Sequence, residues 1–404
     1  MASTSEHYDY VIIGGGMVGD AAAKAIHETD GHGSILIIGA DPEPPIARPA
    51  LSKKLWRDPD FTLDQAWLNT EQESGVELMT ADPATSIDLD AHTVRTASGE
   101  QVAYGKLLIA TGGEPHHLDL PDDDRVIAFR TVSDYRRLRE LSGDNRHLLV
   151  VGGGFIGTEL AGSLVQNDTR VTLAYPENLV NDSLFPRELA QAVTQMFIDH
   201  GVILSPQTRI ASGSVEDGQL SIRDESETTF MVDGVVVGLG ISPSTELAET
   251  AGLNVDDGVV VDAMLMTSHP DVFAAGDVAN YPDRLLGQRR VEHVDNANAM
   301  GARVGANMAG DPQPYTHTPY FYSVLFGIRY EAVGSLDSSL DMVQDWTADR
   351  SRGVVYYLSD SGEVAGVLLW NFPDQTDAAR QVIADSQAGT LSRDELRGRI
   401  PIGG

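Results

Sequence analysis

The chain of 404 residues has no cysteine and only four lysines, at positions 24, 53, 54 and 106. Without cysteine there is no redox disulfide, no cysteine-ligated iron–sulfur cluster and no sulfenate centre. Positive charge is scarce: 28 Lys and Arg stand against 60 Asp and Glu, a formal net charge of -32. A surface of that sign repels nucleic-acid phosphates and anionic lipid. Low lysine with excess acid also fits a salt-accumulating, halophilic cytosol, where ions screen the self-repulsion. No apolar run reaches the roughly 18–20 residues of a membrane span. The opening Met1-Ala2-Ser3-Thr4-Ser5-Glu6 has no basic region before its first apolar run, so a cytoplasmic chain is expected. No metal centre is expected.

Glycine, by contrast, is concentrated in two fingerprints. Gly14-Gly15-Gly16-Met17-Val18-Gly19 follows the apolar run Tyr10-Val11-Ile12-Ile13 and opens a small-residue stretch, Ala21-Ala22-Ala23-Lys24-Ala25. Gly152-Gly153-Gly154-Phe155-Ile156-Gly157 follows His147-Leu148-Leu149-Val150-Val151 and opens Glu159-Leu160-Ala161-Gly162. Strand before and helix after are what separate a dinucleotide site from a chance match. The first glycine allows the tight turn, the second lets backbone approach a pyrophosphate, and the third lets helix pack on strand. The diphosphate then lies at a helix N-terminus. Two such sites imply two bound dinucleotides, and the economical reading is a flavoprotein fed by a nicotinamide. Glu177 lies 20 residues after Gly157, just past the strand at 171–174. That is the spacing of a carboxylate that binds the adenosine 2′-OH of NADH. A 2′-phosphate would meet its negative charge.

The pattern along the chain predicts a doubly wound α/β architecture with one nucleotide domain inserted in another. FAD is assigned to 1–124 and 247–314, and NAD to 125–246. Strands are expected at 35–38, 107–113, 171–173, 235–240, 259–262 and 270–278, and a helix at 296–308. From 315 the character changes to α+β. A hairpin is expected from 353–358 and 364–370, around Ser359-Asp360-Ser361-Gly362, then helices at 374–383 and 392–397.

These motifs together resemble the FAD- and NAD(P)H-dependent pyridine-nucleotide oxidoreductases that include ferredoxin and rubredoxin reductases. Three stretches are more specifically similar to the apoptosis-inducing-factor family: the run at 41–56 containing Arg48-Pro49-Ala50-Leu51-Ser52-Lys53, then Arg289-Arg290-Val291-Glu292-His293, then Tyr330-Glu331-Ala332-Val333-Gly334. The resemblance implies that Gly14, Gly16, Met17 and Gly19 cradle the FAD diphosphate. Ala40 stands where the family has a ribose-binding Glu, which leaves Asp41 or water for that role. Arg48 and Lys53 are implied to reach the FAD diphosphate and the flavin ring. Ala84, Thr111, Gly112 and Arg130 are further implied contacts, and Asp277 the acid on the ribityl chain. Gly153, Gly154, Phe155, Ile156 and Gly157 form the implied nicotinamide turn, with Phe155 covering the flavin. Gly240 and Glu331 are further implied NAD contacts.

At the reacting centre the resemblance pairs Lys53 with Glu159 beside the flavin. A helix beginning near Asp295 would point its positive end at charge developing on the flavin. Glu292 and His293 precede it, with His293 an implied flavin contact. The family's second histidine is Val294 here, and its stacking tryptophan is Tyr322. The implied activity is hydride transfer from NADH to flavin N5. The electrons then pass to an acceptor left open: a small electron-carrier protein or a quinone. The rivals are a ferredoxin or rubredoxin reductase, and an NADH-sensing redox protein of slow turnover. The absent cysteines exclude a disulfide reductase. Either a monomer or a homodimer is compatible. The family's mitochondrial presequence, basic nuclear-targeting run and long insertion between Leu340 and Gly353 are all missing, so its death role and DNA binding do not carry over.

Overall fold

Strands rich in Val, Ile and Leu, apolar on both faces, suit a parallel sheet covered on both sides. The computed structural model, which describes residues 6–402, places the first such strand, Glu6–Ile13, at the centre of a mixed sheet. Ile35–Ile38 and Glu77–Met79 extend that sheet on one side, in parallel. Gln101–Ile109 lies on the other side, also parallel, and pairs in turn with Val272–Ala274. Thr93–Thr96 and Ala84–Asp88 continue it as antiparallel strands. Ile13 lies level with both Ile38 and Ile109, so three strands end together where the first glycine turn begins.

These elements belong to one compact unit: the chain up to Arg48, with Leu63–Glu114 and Ser242–Pro319. Its helix Met17–Thr29 packs on the helix Val294–Met308 through small residues. Gly301 and Gly305 are one helical turn apart. A Cβ at Gly301 would stand 2.8 Å from Ala21 Cβ, and one at Gly305 would strike the Ala22 carbonyl. Only glycine permits this approach of the two backbones.

The second unit comprises Pro49–Thr62, Pro115–Ile241 and the chain from Tyr320 onward. It repeats the doubly wound pattern. The order is Ile203–Ser205, Arg170–Ala174, His147–Val151, Gly234–Val237, Val126–Ala128, all parallel. The same unit holds an antiparallel sheet in the order Tyr320–Leu325, Ile328–Gly334, Val364–Trp370, Gly353–Leu358, Asp341–Trp346. The expected hairpin around 359–362 is there, and the helix Thr376–Gln387 follows.

Two local expectations are corrected. Residues 392–397 form a single 3-10 turn, Arg393–Glu395, instead of an α-helix. The Glu395 carboxylate takes both the Ser392 N–H and its hydroxyl, and the chain passes at once into a further turn that contains Gly398 at φ +74°. The strand expected over 270–278 is only Val272–Ala274, because Gly276 at φ +81° opens the 3-10 turn Gly276–Val278. Among the described residues no helix is long and apolar enough to cross a membrane, and no group of His, Asp and Glu could hold a metal ion.

Candidate functional site

The two glycine turns have the same construction. Gly14 and Gly152 have φ +127° and +119°, and a Cβ at either would strike the carbonyl of Ala110 or Gly238. A Cβ on Gly19 or Gly157 would strike the carbonyl of Gly14 or Gly152. The protein's own backbone therefore explains those four glycines. It does not explain Gly16 and Gly154, where a Cβ would meet nothing within 4 Å. Each is the N-cap of its helix, with no side-chain cap. Open space at an uncapped helix N-terminus is what a diphosphate needs, so both turns fit a dinucleotide.

Around the first turn, Met17 begins the helix. Asp41 pairs with Arg48 at 3.5 Å, which ties together the two residues expected at FAD. Ala84 opens the strand Ala84–Asp88. Thr111 donates its hydroxyl to the Ser244 carbonyl at 2.8 Å, and the Gly112 carbonyl takes the Ser244 N–H. Asp277 sits within its 3-10 turn, and its carbonyl receives Arg290. Arg290 also holds Glu292 at 2.5 Å. His293 is the N-cap of the helix Val294–Met308. Sequence reasoning did not find the pair His317–Asp295, at 2.5 Å in the first turn of that helix.

Around the second turn, Gly153 lies against Tyr175 and Glu177. A Cβ there would stand 3.0 Å from Tyr175 Cβ and 3.5 Å from Glu177 Oε2. Asn181 braces the same turn by donating to the Gly153 carbonyl at 3.2 Å. The acid expected at ribose thus hugs the glycine turn. Phe155 is the first helical residue, meeting Phe321 edge-on at 5.0 Å, and Ile156 is exposed. Gly240 accepts the His116 N–H, and the Arg130 N–H is taken by Asp134.

Five residues into that helix the chemistry becomes concentrated. Glu159 is 4 % exposed. Its Oε2 accepts from Lys53 Nζ at 2.8 Å and from the Ser52 hydroxyl at 2.7 Å, while its Oε1 accepts from the Ser323 hydroxyl at 2.7 Å. A buried carboxylate is tolerable only when paired and hydrogen-bonded, and both conditions are met. Ser163 on the helix and Asn167 just past its end donate to the carbonyls of Ser52 and Trp56, so the segment bearing Lys53 is laced to it. The ammonium also lies 5.5 Å from the centre of the Tyr322 ring. Arg329 stacks on the same ring at 4.3 Å. Burial pushes the Tyr322 phenol up, and Arg329 opposes that shift. Glu331, expected as an NAD contact, is 2 % exposed and turned inward: Arg329 holds Oε1, and the Asp374 N–H reaches Oε2 at 3.2 Å. Ser52, Ser323 and Arg329 were missed as site residues, although each serine adjoins a residue that was named.

Two dinucleotide turns, and a buried lysine paired with a carboxylate on the second turn's helix, fit an FAD- and NAD(P)H-linked oxidoreductase. Residues 8–301 match the family described as pyridine nucleotide-disulphide oxidoreductase, and the chain belongs to it. Residues 304–352 match the C-terminal family of apoptosis-inducing factor, mitochondrion-associated. The chain is 35 % identical to apoptosis-inducing factor 1, mitochondrial, of Dictyostelium discoideum, over 94 % of this chain and 78 % of that one. It is 30 % identical to the ferredoxin–NAD(+) reductase component of the anthranilate 1,2-dioxygenase system of Burkholderia cepacia, covering 93 % and 94 % of the two chains. A ferredoxin reductase from Rhodopseudomonas palustris has a similar structure, with TM-score 0.83, 27 % identity and coverage of 92 % and 93 %. Within its family the chain is thus of the apoptosis-inducing-factor type. The family's name includes a disulphide that this sequence, with no cysteine, does not contain.

Proposed function

We propose that the protein is an NADH-preferring oxidoreductase, with FAD held by 1–124 and 247–314, NADH by 125–246, and a C-terminal domain from 315. FAD, when bound, supplies the two-electron acceptor chemistry. The observation that carries the proposal is the buried Lys53–Glu159 pair, one turn into the helix whose N-terminus is the second glycine cradle. Glu159 fixes the ammonium, and the two serines satisfy the carboxylate, so the positive donor is aligned before substrate arrives. Such pre-organisation costs no rearrangement at the moment of reaction. Glu177, against Gly153, is the residue proposed to accept the adenosine 2′-OH and to repel a 2′-phosphate.

The electron acceptor divides the readings. A carrier protein of the ferredoxin type is favoured by the likeness to two ferredoxin reductases, and a quinone is the alternative. Turnover of the purified holoenzyme with each acceptor in turn tests this. Rapid NADH-driven reduction of ferredoxin supports the carrier reading, and activity only with quinone or oxygen rejects it. The low lysine content and net charge of -32 support a cytoplasmic, halophilic setting.

A further inference from the structure

The hairpin that carries Tyr322 and Ser323 turns at Phe326-Gly327, between the paired residues Leu325 and Ile328. Both loop residues have positive φ, 47° and 89°. Two-residue loops of this kind favour Asn-Gly or Asp-Gly. A bulky aromatic in left-handed backbone is an outlier, and it persists only where its surroundings over-determine it. The surroundings here are definite. The Phe326 ring stacks on His200 at 3.9 Å and 16°, and meets the fully buried Phe197 edge-on at 5.0 Å. His200 is itself fixed, its Nδ1 donating to the Met196 carbonyl at 2.8 Å. The ring tip also lies beside Gly162, where an added Cβ would stand 3.4 Å from it. Gly162 lies three residues after Glu159 and therefore on the same helix face.

One short hairpin thus touches that helix at two points. At its tip, Phe326 packs against both Gly162 and the end of the helix Arg187–Asp199. On its first strand, Ser323 donates to Glu159. We infer that Phe326 is a positioning residue: its strained insertion sets the hairpin's register against the helix, and so holds Ser323 on Glu159 and Tyr322 beside Lys53. A relaxed Asn-Gly turn would close the same hairpin but would not seat it.

The inference rests on the proposed role of the Lys53–Glu159 pair, and the test separates the two. Holoenzyme variants Phe326→Asn, Phe326→Tyr, Ser323→Ala and Phe326→Asn with Ser323→Ala are compared. The readouts are anaerobic flavin reduction by NADH and the visible circular dichroism of bound FAD. Phe326→Asn should slow reduction about tenfold, the effect of one lost hydrogen bond to a carboxylate. It should also change the dichroism in the way Ser323→Ala does. Phe326→Tyr should restore both, and the double variant should lose no more than the worse single one. Unchanged rate and dichroism in Phe326→Asn, or additive losses in the double variant, would overturn the inference. If Phe326→Asn does not fold, Gly162→Val displaces the ring from the helix side and carries the same expectations. If Ser323→Ala and Lys53→Ala also leave the rate unchanged, the reading of the pair fails instead.

Discussion

Glu159 collects three donors on two oxygens, and each donor comes from a different residue: Ser52, Lys53 and Ser323. Removing Lys53 leaves a buried carboxylate held by serines alone. Breaking such a pair costs about 3 kcal/mol, the low end of the usual range, because two donors persist. Lys53→Ala should therefore lower stability in urea and slow flavin reduction, while FAD remains bound. Removing both charges at once should cost less than the sum of the single changes, because the partners are coupled. Strict additivity would show that the pair does not act as a pair. Glu177 makes a separate prediction. With its carboxylate against the glycine turn, kcat/KM should favour NADH over NADPH by about 1–3 kcal/mol, the cost of leaving a charged group mismatched. Glu177→Ala should narrow that preference, and equal values in the parent enzyme would remove the ribose role.

At the scale of elements, the two glycine turns separate folding from binding. Gly19→Ala places a methyl against the Gly14 carbonyl and should destabilise the fold. Gly16→Ala places its methyl in open space. It should leave the melting temperature of the apoprotein unchanged and weaken FAD. Gly154→Ala should do the same to NADH alone, read as a raised KM with FAD content intact. Equal losses of stability in Gly16→Ala and Gly19→Ala would contradict this division. Both turns were legible in the sequence because strand, turn and helix are contiguous there. So were the strands at 35–38 and 147–151, where apolar residues run without a break from Ile35 and from Leu148. The pairing of Lys53 with Glu159 was legible only through family resemblance, since the partners are 106 positions apart. Ser323, a further 164 residues from Glu159, gave no local signal of its own. Arg329, two residues before Glu331, holds the carboxylate expected at NAD, a pairing the sequence did not reveal. The helix expected over 392–397 proved to be a single 3-10 turn at 393–395, because nothing in so short a stretch shows from sequence where the run stops.

At the scale of the whole molecule, every lysine is placed. Lys24 bridges Asp20 and Glu73, Lys53 holds Glu159, Lys54 faces Asp58, and Lys106 lies over Phe273. The remaining surface is dominated by acids that repel one another. At 0.1 M salt the screening length is about 10 Å, and at 1 M about 3 Å. Melting temperature and FAD retention should therefore rise together as KCl approaches molar concentration, followed by circular dichroism and flavin fluorescence. A merely acidic protein would gain little, since surface pairs contribute only about 0–1 kcal/mol each, and a flat or falling series would reject the halophilic reading but not the enzymatic one, which rests on other residues. The enzymatic account stands on one measurement above the others: anaerobic stopped-flow mixing of the FAD-loaded protein with NADH, beside its Lys53→Ala variant. The account predicts rapid bleaching of the flavin band in the parent protein, slower with NADPH, and a marked slowing in Lys53→Ala at unchanged FAD content. Bleaching at the same rate in parent and variant would contradict it.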